Sequence, residues 1–185
     1  MTEIPGFGTF TLDERSGWLE SDTTLEVPGL GVTGTVILDD PEADPVEVAA
    51  VLRRLAALPT EFRQTLTPFL WAYYSDVAAD VDLDVPLSRP EDVWSQVEIG
   101  DELHVARHDG TWYVDVESSC DWELEHGLQV VLRDGDTLVK IGPYDGHVAH
   151  LGTDEIYPGA GHADGRSARP GWWQRLRRAA GPRRR

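Results

Sequence analysis

The apolar and polar positions divide residues 1–158 into strands, helices and strands again. Between Gly6 and Leu38, short alternating stretches broken by glycine and proline predict an antiparallel meander. From 44 to 77, apolar residues recur every three or four positions, which predicts two helices. From 102 to 141, alternating stretches with Asp-Gly turns predict a second set of strands. Antiparallel strands from both ends of the chain, packed against two main central helices, make residues 1–158 a single α+β domain.

Local signals place the helix ends. Asp44, Pro45 and Glu47 have the residue types of an N-cap, a first helical position and an acidic first turn. The second helix is predicted to start at Thr60, and its apolar pattern contains Pro68. Because proline removes a backbone donor, we expect a kink or a restart of the helix at that residue.

Charge is distributed unevenly along the chain. The whole sequence carries −17, but residues 159–185 contain eight arginines and a single acid, a local balance of +7. Residues 1–158 therefore carry −24, and a body this acidic is expected to repel nucleic acid. Residues 159–185 offer too little apolar surface to order themselves, so we expect a disordered basic tail rich in arginine and tryptophan. Contact with a membrane or another anionic surface is expected only through residues 166–185.

The single cysteine, Cys120, excludes an internal disulfide and any zinc site built from several cysteines. A lone thiol fits a reducing compartment. The first ten residues lack the basic and apolar regions of a signal peptide, and no stretch approaches 18 apolar residues. We therefore expect a cytoplasmic protein.

Two polar clusters carry the candidate chemistry. The run CDWELEHG, 120–127, lies between two predicted strands and so closes a hairpin, and the run YDGH, 144–147, follows the last predicted strand. In an antiparallel meander the two clusters lie at the same end of the sheet. The candidate binding or structural motif consists of Cys120, Asp121, Trp122, Glu123, Glu125, His126, Gly127, Tyr144 and Asp145.

Three interpretations of this motif stay open. In the structural one, His126 and Glu125 fix the loop through bonds to the backbone, and Gly127 supplies a positive φ. In the second, Cys120 and His126 form a thiolate–imidazole pair, although no third residue that would orient the pair is evident. In the third, carboxylates and imidazoles hold a divalent metal, and the donor set is Glu123, Glu125, His126, Asp145 and His147.

The same run, followed by a strand, a turn and KIGPYDG, resembles a bacterial domain family of unknown function. The signature of that family is a Cys-x-Trp-acid-x-Glu-His-Gly block, followed by a Gly-x-x-Asp element. The matching positions are Cys120, Trp122, Glu125, His126, Gly127, Gly142 and Asp145, and Glu123 stands where the family commonly has aspartate. The resemblance spans about residues 6–150 and implies an α+β fold, but it implies no established activity.

These observations favour a non-catalytic binding or regulatory module without a cofactor. An acidic domain of this kind neutralises a basic protein, such as a toxin domain, by charge-steered docking. The alternative is a metal-dependent hydrolase that uses Glu123, Glu125, His126 and Asp145.

Overall fold

The computed structural model describes residues 1–145 and the backbone of residues 155–156. The strands are β1 (Thr2–Ile4), β2 (Gly8–Leu12), β3 (Leu19–Val27), β4 (Val32–Leu38), β5 (Val97–Glu98), β6 (Glu102–His108), β7 (Thr111–Cys120), β8 (Leu128–Arg133), β9 (Thr137–Gly142) and β10 (Glu155–Ile156). The helices are α1 (Pro45–Ala56) and α2 (Phe62–Ala78), and a short 3-10 helix spans Pro90–Ser95. The tail predicted for residues 159–185 lies outside the described residues, as does His147.

Within the described part of the chain, nine strands form one mixed sheet in the order β1-β2-β3-β4-β6-β7-β8-β9-β10, and β5 pairs with β7. Most neighbouring strands are antiparallel, as predicted, but β4 with β6 and β9 with β10 are parallel. The first parallel pair has a physical cause. Both helices lie in the connection between β4 and β6, and a long crossover returns the chain in the same direction.

The α+β architecture predicted from the sequence is confirmed, because strands from both ends of the chain share a core with the two central helices. Helix α1 begins as predicted: the Asp44 side chain accepts a 2.9 Å hydrogen bond from the N–H of Val46, and Pro45 is the first helical residue. Its apolar stripe is completely buried in the core, where it contacts β1 and β3.

Helix α2 begins at Phe62 rather than at Thr60, and it runs without interruption through Pro68. The expected restart at that proline is therefore wrong. The packing of the helix explains its continuity, since Leu66 and Leu70, on either side of the proline, are both buried in the core. Among the residues that the structure describes, no helix combines the length and the apolar character needed to cross a bilayer.

Candidate functional site

The 120–127 loop joins β7 to β8 through a tight turn. The N–H of Gly127 donates to the carbonyl of Glu123 at 3.0 Å, and Gly127 has a φ of +59°. A Cβ atom at this position would lie 2.8 Å from the carbonyl oxygen of Ser118. Both the dihedral angle and the close approach require glycine, so the predicted positive φ is confirmed.

Buried side chains hold the loop against the core. The hydroxyl of Tyr73 on α2 donates to the carbonyl of Gly127 at 3.1 Å, and Sγ of Cys120 lies 3.6 Å from the same oxygen. Cys120 is 1% exposed, and this burial raises the pKa of its thiol to about 12. The thiol is therefore protonated at neutral pH, and the thiolate–imidazole interpretation is not supported.

Trp122 anchors the loop in the core. It is 4% exposed, and its ring meets those of Tyr73 and Tyr74 edge-on, with each pair of ring centroids 5.8 Å apart. Such edge-to-face pairs stabilise a core beyond the area that they bury. Trp122 is thus a packing residue, not an exposed recognition residue.

The acidic and imidazole groups of the loop meet at its tip. Oε1 of Glu123 accepts a 3.0 Å hydrogen bond from the N–H of Glu125, and the same oxygen lies 3.6 Å from Nδ1 of His126. One possible metal-ligating atom from each of these three residues lies within 4.8 Å of the others. The side chain that fixes the backbone is therefore that of Glu123, whereas the structural interpretation had assigned this role to Glu125 and His126.

The two polar clusters lie side by side, as predicted from the sequence. The N–H of Tyr144 donates to the carbonyl of His126 at 3.1 Å. Asp145 does not join the tip of the loop, because its carboxylate accepts a hydrogen bond from the ammonium group of Lys140. The predicted metal donor set is thus reduced, among the described residues, to the three groups at the tip.

A buried polar network lies on the sheet face opposite the helices. Asp115 of β7 pairs with His104 of β6, and Val131 lies between it and Lys140 of β9. Oδ2 of Asp115 accepts a 2.7 Å hydrogen bond from Gln129, whereas its buried Oδ1 has no hydrogen-bond partner among the residues that the structure describes. Asp115 is 7% exposed, and burial raises its pKa to about 6.

Next to this network lies a cavity of about 400 Å³, which we call the acidic groove. It forms at the point where β7 stops pairing with β6 and starts pairing with β5. The groove is lined by Glu98, Ile99, Gly100, Asp101, Glu117, Ser118 and Ser119. Three of these residues carry exposed carboxylates, and none is basic.

The two walls of the acidic groove approach each other closely at Gly100. A Cβ atom on Gly100 would lie 1.9 Å from the carbonyl oxygen of Glu117, and the N–H of Gly100 donates to Oγ of Ser118 at 3.2 Å. Tyr144 lies beside the groove, where its hydroxyl is hydrogen-bonded to Glu117. This hydrogen bond is the largest cause of the raised pKa of the Tyr144 hydroxyl. The groove is therefore a preformed acidic surface.

The sequence model of a family described as a domain of unknown function, DUF6985, matches residues 6–148. The chain belongs to the DUF6985 family. The match includes the 120–127 loop, the buried network around Asp115 and the acidic groove, and it ends before residue 159. Comparisons with curated proteins and with solved structures found no match.

In this DUF6985 domain the loop could be located from the sequence, but the acidic groove and the network could not. The alternation along β7 places Asp115 and Glu117 on its polar side, a pattern that is typical of a solvent-facing surface. Glu98 and Asp101 belong to the connection between the 3-10 helix and β6, where no apolar period marks a strand. The pairing of β5 with β7 brings Glu98 beside the end of β7 that carries Glu117.

Proposed function

We propose that this DUF6985 domain is a non-catalytic binding module that captures a basic protein on its acidic groove. Neutralisation of a basic toxin domain is one role that such docking serves. The observation that carries the proposal is the groove itself, in which Glu98, Asp101 and Glu117 surround a cavity of about 400 Å³ without a basic residue in its lining. We also propose, as the sequence indicates, that the protein is cytoplasmic and of bacterial origin.

The shape and charge of the acidic groove suit an arginine or lysine side chain. Arginine is favoured because its planar guanidinium group donates two parallel hydrogen bonds to a carboxylate. Residues 1–158 add a long-range contribution, since their balance of −24 attracts a basic protein before contact and speeds association. We therefore expect an association rate that falls steeply as salt concentration rises.

A labelled oligoarginine peptide titrated with the full chain tests this proposal. The variant E98Q/D101N/E117Q removes three carboxylates of the acidic groove, and the control E14Q/E26Q/E42Q removes three exposed carboxylates that do not line it. Exposed ion pairs contribute about 0.2–1 kcal/mol each, so losing three predicts a threefold to roughly 100-fold weaker affinity. Equal losses in the two variants would show that the peptide responds only to net charge, and the proposal would fail.

A second candidate function, that of a metal-dependent hydrolase, is favoured by one observation. Ligand atoms of Glu123, Glu125 and His126 converge within 4.8 Å at the tip of the loop. Two carboxylates and one imidazole form a donor set that suits zinc or manganese, and a bound ion would supply a Lewis acid and an activated water. Measuring the metal content of protein purified without a tag separates the two candidates. Stoichiometric metal that is lost in H126A would favour the hydrolase.

A further inference from the structure

We propose that the arginine-rich C-terminal segment, residues 166–185, docks on the acidic groove of its own chain and competes there with the basic partner. The competition rests on the proposed function, because both ligands share one surface. The docking itself is measurable without any partner, so the two proposals can fail separately.

Charge complementarity is the first argument. Residues 166–185 contain eight arginines and no acid, whereas the acidic groove presents the carboxylates of Glu98, Asp101 and Glu117. The two surfaces are parts of one chain, so their encounter does not depend on protein concentration. Attachment through a short linker gives an effective concentration that reaches the millimolar range, on the order of what weak ion pairs need.

The buried network supplies the second argument. Asp115 alternates onto the same face of β7 as Glu117, which lines the acidic groove. Oδ1 of Asp115 is buried and has no hydrogen-bond partner among the described residues. Its carboxylate therefore adds negative charge behind the groove wall that carries Glu117, and this charge strengthens the attraction of the groove for a basic segment.

The length of the chain permits this docking. In the sheet, the backbone of Glu155 on β10 is paired with Lys140 on β9. Lys140 is paired in turn with Val131 on β8, and Val131 with Asp115 on β7. Three strand spacings of about 4.8 Å place β7 roughly 14 Å from β10. The ten residues from Ile156 to Arg166 span up to about 33 Å when extended. Every arginine of the segment can therefore reach the groove without strain.

Cross-linking of a charge-conserving variant tests the docking. In the full chain, R175K/R178K keeps the charge and introduces two amines that a carbodiimide can join to carboxylates. The natural amines interfere little, because Lys140 is 4% exposed and links from the α-amine of Met1 are told apart by peptide mass. Mass spectrometry should find links within one chain to Glu98, Asp101 or Glu117. Their yield should fall about tenfold at 1 M salt, where the Debye length is about 3 Å.

Two cross-linking results would overturn the docking. Links spread evenly over distant carboxylates, such as those of Glu14 and Glu42, would show that the segment samples the whole acidic surface. Links found only between isotopically labelled and unlabelled chains would place the segment on a second copy instead.

Competition needs a separate measurement, made with the labelled oligoarginine peptide. If the segment occupies the groove nine-tenths of the time, R175Q/R177Q/R178Q should bind the peptide about tenfold more tightly than the parent. The control R15Q/R53Q/R89Q removes the same number of charges from arginines that do not line the groove, and it should improve binding by about twofold or less. Equal gains in the two variants would overturn the competition. If the peptide ignores the groove in every variant, the proposed function fails, while cross-links to the groove would still support the docking.

Discussion

Replacing Asp115 by asparagine tests the energetic consequence of the buried network. In the folded protein burial raises the pKa of Asp115 to about 6, although the hydrogen bond from Gln129 partly opposes this rise. In the unfolded chain the pKa of an aspartate is about 3.9. Between these two values the folded state holds a proton that the unfolded state has lost, so the free energy of unfolding decreases as pH rises.

The size of this effect follows from the two pKa values. At 1.36 kcal/mol for each pH unit, a pKa of about 6 against an ordinary value of 3.8 corresponds to about 3 kcal/mol. The penalty is absent below about pH 4 and complete above about pH 6. The side chain of D115N carries no charge at any pH. We therefore expect D115N to match the parent at pH 4 and to be more stable by about 3 kcal/mol at pH 7.

Urea denaturation of both proteins at intervals from pH 4 to pH 8 measures this difference. Subtracting the two stability curves removes the titration of every group that the proteins share. A control variant, D121N, changes an exposed carboxylate of the neighbouring loop and should leave the pH dependence of the parent unchanged. If D115N keeps the pH slope of the parent, or is less stable than the parent at pH 7, the argument from burial is refuted.

Three further substitutions probe the loop and the acidic groove. G127V should melt at a clearly lower temperature than G127N: both variants place a Cβ 2.8 Å from the carbonyl oxygen of Ser118, but a β-branched residue tolerates a φ of +59° more poorly than asparagine does; equal melting temperatures would contradict the strained turn. E123A should cost about 0.5–1.5 kcal/mol in urea denaturation, because the N–H of Glu125 loses its acceptor, and E123Q should restore most of that loss; a failed rescue would mean that charge matters instead. G100A should lower both the melting temperature and the oligoarginine affinity, since a Cβ would lie 1.9 Å from the carbonyl oxygen of Glu117; unchanged affinity would show that this close contact does not shape the groove.

Features set by neighbouring residues could be predicted from the sequence. The N-cap at Asp44 depends on a bond to a backbone N–H two residues away, and the structure confirms it. The hairpin turn at Asp109 and Gly110 needs positive φ at both positions, and both have it. The positive φ of Gly127 belongs to the same class. In each case the chemistry lies within a few residues, so one short window of sequence contains the whole cause.

Features that depend on distant pairings could not be predicted in the same way. The sequence allowed Asp145 as a metal ligand of the preceding loop, but its side chain binds Lys140 instead of reaching the tip of that loop. The raised pKa of Asp115 likewise follows from the burial of its face of the sheet, and the hydrogen bond from Gln129 of β8 partly opposes the rise. The parallel pairing of β4 with β6 follows from the helical crossover and not from either strand alone.

The loop and the acidic groove are parts of one construction, because β7 joins them. Cys120, the first residue of the loop, pairs with Val97 of β5, and the next N–H along the chain, that of Asp121, donates to the carbonyl of Gln96 at 3.0 Å. These contacts hold β5 in place, and Glu98, the last residue of β5, lines the groove. The loop does not line the groove, but it therefore helps to fix the positions of the groove carboxylates. For this reason, loop variants such as G127V should lose oligoarginine affinity together with stability, whereas E98Q/D101N/E117Q should lose affinity alone.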